Sequence, residues 1–187
     1  MKRTIALIPL LTLVVLQSGC INFGPKDNVD FGQIESITDL EGVYQNAGEE
    51  DNKYADPARP TYLSSIIWPK AKDFNHKAVE TIAVRAVGHD TLVVKAIGNG
   101  KTIKEGTFVE GKDFILRSGR IQLEWHLLPG HGAGNPLIGI YYEDIDLGLD
   151  QRGHGKFRVS GALAGLIYVI PMVLGGYDDV RFVKISD

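Results

Sequence analysis

From residue 78 onward, apolar and polar positions alternate with a period of two along most of the chain. Val79, Thr81, Ala83 and Arg85 alternate with Glu80, Ile82, Val84 and Ala86, and Thr91 to Ile97 is rich in β-branched residues. Both stretches predict strands. The cleanest alternation sets Ile121, Leu123, Trp125 and Leu127 against Gln122, Glu124 and His126. Further strands are expected at 101–109, 113–117, 137–150, 156–159 and 180–185. The joints between them are turn sequences: Gly98-Asn99-Gly100, Glu110-Gly111-Lys112-Asp113, Ser118-Gly119, and the glycine-rich stretches 128–136 and 150–155. Asp39 to Asn46 predicts an earlier strand, with Gly42-Val43-Tyr44 as a bend. One helix is expected at 61–68. There Thr61 is placed to cap the start and Pro69 to stop the end. Tyr62 with Ile66 and Leu63 with Ile67 make one apolar side. The fold class is therefore mainly β: an antiparallel meander with one short helix near residues 61–68. In a domain of this size the meander is expected to close into a small barrel or half-barrel, because closure hides the strand edges.

The first twenty residues follow a different pattern. Met1-Lys2-Arg3 is a basic head, Ile5 to Leu16 is apolar apart from Pro9 and Thr12, and Gln17-Ser18-Gly19 leads into Cys20. A basic segment, an apolar run and small residues in that order predict a secretory signal peptide. The apolar run is short of the ~20 residues a spanning helix needs. Ser18-Gly19-Cys20 resembles the bacterial lipobox, although Leu16 stands one residue earlier than the usual leucine. The resemblance implies cleavage before Cys20, lipidation of its thiol by a diacylglyceryl group, and a third acyl chain such as palmitate on the new N-terminus. Two or more chains give stable anchoring. Ile21 follows the cysteine, and in proteobacterial lipoproteins a residue other than Asp there resembles an outer-membrane signal. The expected organisation is a signal peptide at 1–19, a lipidated tether at 20–37 and one β-barrel-like domain at 38–187. The expected location is the bacterial cell envelope, on the outer membrane facing the periplasm. The order of a Gly-x-aromatic strand, a short helix and a meander resembles the small β-barrel lipoproteins of bacterial envelopes.

Composition narrows the chemistry. The chain has 187 residues, 20 Lys+Arg against 23 Asp+Glu, and a net charge of −3. Loss of Lys2 and Arg3 with the signal takes the net charge to −5. No basic excess exists to follow a nucleic-acid backbone, so no nucleic-acid partner is expected. One cysteine makes neither an internal disulfide nor a thiolate zinc cage. No cofactor motif is present. Gly-x-Ser-x-Gly does not occur, and the glycine runs lack the lysine of a phosphate loop. Asp144, Asp146 and Asp150 are weak metal candidates, spaced as hard oxygen ligands of calcium are spaced. Alternation along a half-solvated strand produces the same spacing. Lys101, Lys104, Lys112, Arg117 and Arg120 gather on neighbouring predicted strands and read as a solvated face.

The most unusual stretch is Gly161 to Gly176, which carries no charge. Three readings stand: a buried hairpin with Pro171 at its turn, the wall of an apolar cavity, or an exposed patch touching a bilayer or partner. Leu163, Leu166, Ile167, Tyr168, Ile170 and Met172 are its candidate cavity or interface residues. The expected function is a non-catalytic binding or structural module. Its expected partners are the membrane, through the lipid anchor, and an apolar ligand or an envelope protein. The alternative is an envelope hydrolase or metal-binding protein using acidic and histidine side chains on the strands.

Overall fold

The computed structural model describes residues 19–50, 60–123, 137–167 and 170–187. Eleven strands lie in these residues: β1 (Gly19–Phe23), β2 (Gly42–Gln45), β3 (Thr81–Val87), β4 (Thr91–Gly98), β5 (Lys101–Val109), β6 (Phe114–Arg117), β7 (Arg120–Leu123), β8 (Leu137–Leu149), β9 (Gly155–Ile167), β10 (Ile170–Phe182) and β11 (Lys184–Ser186). The meander is present, but it is split. One sheet has the order β11-β2-β3-β4-β5, the other β1-β10-β9-β8-β7-β6.

Neither sheet closes into a barrel, which corrects the expected closure. The split falls between β5 and β6, at the turn Glu110–Asp113. Gly111 there has φ +79°, and the Asp113 carboxylate accepts a hydrogen bond from Val109 N at 2.9 Å. This turn sends β6 into the second sheet rather than back along β5. Each sheet instead ends on one side in a short added strand. After β10 the chain crosses so that β11 pairs with β2, and β1 lies beside β10. The edge strand β5 carries Lys101, Lys104 and Glu105, and charge on an exposed edge discourages further pairing.

The chain divides into two compact units. One comprises residues 1–22, 126–144 and 159–177, the other residues 23–125, 145–158 and 178–187. The described part of the first is strand backbone of β1, β8, β9 and β10. Cys20 lies in β1, whose sheet neighbour is β10. The uncharged stretch 161–176 is shared between β9 and β10, with Pro171 the second residue of β10.

The second unit holds the described core. Along β3 and β4 the pleat aligns Ile82 with Ala96, Val84 with Val94 and Ala86 with Leu92, so their side chains share one face. Asn99 and Gly100 both have positive φ, as do Ser118 and Gly119. These are the two-residue hairpin turns that the sequence marks. Ile34 and Ile37, from the stretch read as a tether, are buried in this core with Tyr44, Phe114 and Phe182.

The helix α1 (Leu63–Ile67) is shorter than expected, and its start is not capped by Thr61. The cap comes from Asn46, just after β2. Its carbonyl oxygens accept from Leu63 N and Ser64 N, both at 2.8 Å. Its side-chain amide donates to His76 O at 2.9 Å and Val79 O at 3.0 Å. Asn46 is fully buried, and this one side chain joins the helix to the turn His76–Ala78. Asn46→Ala leaves Ser64 N and Val79 O without these partners and removes one of the two donors to His76 O. It is expected to cost about 2–4 kcal/mol, read as a lower midpoint in urea unfolding with an unchanged m-value.

Candidate functional site

Within the second unit a cavity of about 520 Å³ opens between the five-stranded sheet and β6, β7 and the C-terminal end of β8. One wall is the inward face of β2 to β4, with Tyr44, Val84, Leu92 and Val94. The other is Phe114, Ile121, Leu147 and Leu149. Val84, Leu147 and Leu149 pack against the core yet stay half-buried, because they also border this space. Alternation contributes to both walls: Leu92 and Val94 on β4, and Leu147 and Leu149 on β8, are second neighbours on their strands.

The helix and the loop after it form the third side. Ile67, Trp68, Pro69, Lys70 and Ala71 all line the cavity. Trp68 meets Phe74 edge-on, with ring centroids 6.0 Å apart, and lies 6.3 Å from the Phe108 ring. Gly106 on β5 makes this approach possible: a Cβ there would stand 3.0 Å from the indole nitrogen. Lys104 crosses over the same aromatic pair, its ammonium 5.8 Å from the Trp68 ring and 5.2 Å from the Phe74 ring. Burial, and then the Lys104 charge, hold His76 below the ordinary histidine value, so its imidazole adds no positive charge at neutral pH. Burial likewise pushes the Tyr44 hydroxyl well above the ordinary tyrosine value. That hydroxyl donates to Leu40 O at 2.9 Å, so it is tied into the wall.

A second cluster is charged and buried. Lys156 is 1% exposed. Its ammonium donates to Asn28 Oδ1 at 2.6 Å, Asp179 Oδ2 at 2.7 Å and Val29 O at 2.8 Å. Asp179 also accepts two hydrogen bonds from Arg158, at 2.6 and 2.8 Å, and one from Asn28. Burial opposes its ionisation, but the hydrogen bonds from Arg158, Lys156 and Asn28 outweigh burial and hold the carboxyl below the ordinary value. The Phe31 ring carries three cations within cation–π reach: Arg120 at 4.5 Å, Arg158 at 5.2 Å and Lys156 at 5.5 Å. A lysine with all three protons donated and almost no exposure has neither a lone pair nor an approach for a substrate. This cluster therefore fastens residues 28–31 to β9 and β10 rather than performing chemistry.

The residues singled out from sequence fall in different places. Asp146 accepts from Arg120 at 2.7 Å. Asp150 caps its own loop, accepting from Arg152 N at 2.8 Å and His154 N at 2.9 Å. Asp144 is in β8 and half-buried. Among the described residues no group of three or more His, Cys, Asp or Glu is placed to hold a metal ion. Leu163, Leu166 and Ile167 lie in β9, and Ile170 and Met172 in β10. Tyr168, Glu124, His126 and His131 lie outside the described residues. The described lining of the cavity comes from other parts of the chain. The basic group disperses: Arg120 turns to Asp146, Lys104 covers Trp68 and Phe74, and Lys112 reaches the cavity rim. No family model, curated protein or solved structure matches the chain. No helix among the described residues is long and apolar enough to cross a membrane.

Proposed function

We propose that the chain is a lipid-anchored envelope protein whose second unit carries an apolar ligand. The cavity is the observation that supports this reading. Its size lies within the roughly 300–1,000 Å³ of small-molecule sites. Its described lining is mostly aliphatic and aromatic, with charge among the described residues at Lys70, Lys112 and Asp113. The buried ionisable groups that an enzyme would place in a cleft are here committed to one another, at Lys156, Arg158 and Asp179. The anchor rests on Cys20 and the segment before it. Ile21 after Cys20 supports an outer-membrane location facing the periplasm, where acyl ligands are at hand.

Two measurements test the two halves. In cells fed radiolabelled palmitate, the wild-type chain is expected to take up label and stay with membranes. Cys20→Ser is expected to do neither; label retained on that variant would overturn the anchor. For the ligand, the Cys20→Ser chain would be exported with an ordinary cleavable signal, purified gently and weighed under native conditions. An additional mass of a few hundred daltons, lost on denaturation, is expected. A bare chain that also takes up no added long-chain alcohol or acid would sink the ligand reading.

A further inference from the structure

Beside the mouth of the cavity lies a cleft lined by Lys70, Ala71, Lys72, Asp73, Phe74 and Lys104. Lys70 and Ala71 line both spaces, so the cleft and the cavity adjoin. Among the described residues its lining carries three lysines, Lys70, Lys72 and Lys104, and one carboxylate, Asp73. Its loop is fixed by successive backbone hydrogen bonds, Ala71 N to Trp68 O at 3.1 Å and Phe74 N to Ala71 O at 3.0 Å. Phe74 packing on Trp68 fixes it further. Lys70 and Lys72 are exposed on this loop, and Lys104 is half-buried over its aromatic pair. The result is an apolar chamber beside a lysine-bearing loop whose backbone is held in place.

We propose that cavity and cleft form one site for a single-chain amphiphile with an anionic head. The tail lies between the sheets, and the carboxylate or phosphate head lies among Lys70, Lys72 and Lys104. The assignment rests on the ligand-carrying reading above and adds the class of ligand to it. Volume sets the tail. With a methylene taking about the room of one liquid water, ~30 Å³, the 520 Å³ cavity holds roughly 17 of them. That is room for one long acyl chain. Charge sets the head. An anion beside three ammonium groups at the edge of a low-dielectric wall is favoured over a neutral head of the same size.

The test is photolabelling of the full chain, anchored in phosphatidylcholine vesicles. Three probes carry the same sixteen-carbon tail (~16, within the capacity reasoned above) with a diazirine at its far end. Their heads are a carboxylate, a phosphate monoester and a neutral alcohol. Labelled peptides are mapped by mass spectrometry. The anionic probes are expected to label the strands around Leu92, Phe108 and Leu147 at concentrations about tenfold or more below those the alcohol needs. In the triple variant Lys70→Gln, Lys72→Gln, Lys104→Gln, that advantage is expected to vanish while labelling by the alcohol persists. Persistence of the alcohol signal also shows that the variant is folded. Carboxylate against phosphate distinguishes a free fatty acid from a monoacyl phospholipid as the source of the head. Equal labelling by anionic and neutral probes, unchanged in the variant, overturns the anionic-head assignment and leaves the cavity reading standing. Absence of cavity labelling by all three probes overturns both.

Discussion

Asp179→Asn is expected to destabilise the protein by about 3–5 kcal/mol, the cost of leaving a buried cation without its counter-charge. Asp179 is the junction of the charged cluster. It faces the Lys156 ammonium at 2.7 Å and the Arg158 guanidinium at 2.6 Å, and it is fully buried. The amide of Asn keeps the shape but removes the charge, and it turns one acceptor into a donor aimed at other donors. Lys156 has no path to water, so the loss falls on the folded state alone. The cluster holds residues 28–31 against β9 and β10, and Ile34 and Ile37 follow directly into the core. The variant therefore loosens the core entry as well as the ion pair. Lys156→Met in the Asp179→Asn background is expected to recover part of the loss, with a coupling of about 0.5–3 kcal/mol. Urea titration of wild type, both single variants and the double variant gives that number. A single-variant cost under about 1 kcal/mol would place the cluster among ordinary solvated pairs instead.

The same carboxylate makes the stability depend on acid. The folded state holds Asp179 below its ordinary value, so its contribution is fully present above the unfolded value of about 3.9. That contribution is lost as the pH falls through the lower, folded value. The gap between wild type and Asp179→Asn is expected to be constant from neutrality down to about pH 4, and to narrow only below it. Asp27 and Asp30 are also held low. Hydrogen bonds from Arg152 and Arg181 act on Asp27, and the Phe31 backbone N–H acts on Asp30. Both are exposed, so their share is small and falls with salt.

Alternation made most of the strands legible, and β5 runs over the residues expected of it. The turns Asn99-Gly100 and Ser118-Gly119 were legible for the same reason: a two-residue joint between alternating runs leaves few backbone solutions. Closure was not. An alternating strand at a sheet edge reads the same as one paired on both sides, so nothing local told β5 and β6 apart from neighbours in a barrel. The helix cap was hidden by distance, since Asn46 lies 18 residues before Ser64 and looks like the polar end of a strand. Lys156 was hidden by composition, because a lysine in a charged loop-to-strand passage reads as solvated. Val84, Leu92 and Val94 were legible as strand residues, but not as the wall of a cavity. Whether two inward faces touch or stand apart depends on the spacing of the sheets, and no periodicity carries that. Lys104 stood out as part of a basic group, but not that Trp68 and Phe74 lie beneath it.

Val84→Trp is expected to separate a true chamber from loose packing. Val84 sits in the middle of β3, opposite Val94 and Gly42, with its side chain toward the cavity. Two residues earlier on the same face, Ile82 is fully buried. Forcing a large side chain into a filled core costs about 1–3 kcal/mol or more, and Ile82→Trp is expected to show that full penalty. At Val84 the added indole enters open space between the sheets. The expected change in stability there is under about 1 kcal/mol, because new apolar contact offsets lost side-chain freedom. The indole then occupies the room that the ligand tail needs. Tail-end photolabelling near Leu92 and Leu147 is expected to fall by at least about tenfold. The Lys70→Gln, Lys72→Gln, Lys104→Gln variant separates in the opposite sense: it weakens only the anionic probes, whereas Val84→Trp weakens the neutral alcohol equally. Equal destabilisation by tryptophan at 82 and 84 would mean that the two sheets meet in solution. A stable Val84→Trp that still labels at the wild-type level would place the tail elsewhere in the fold.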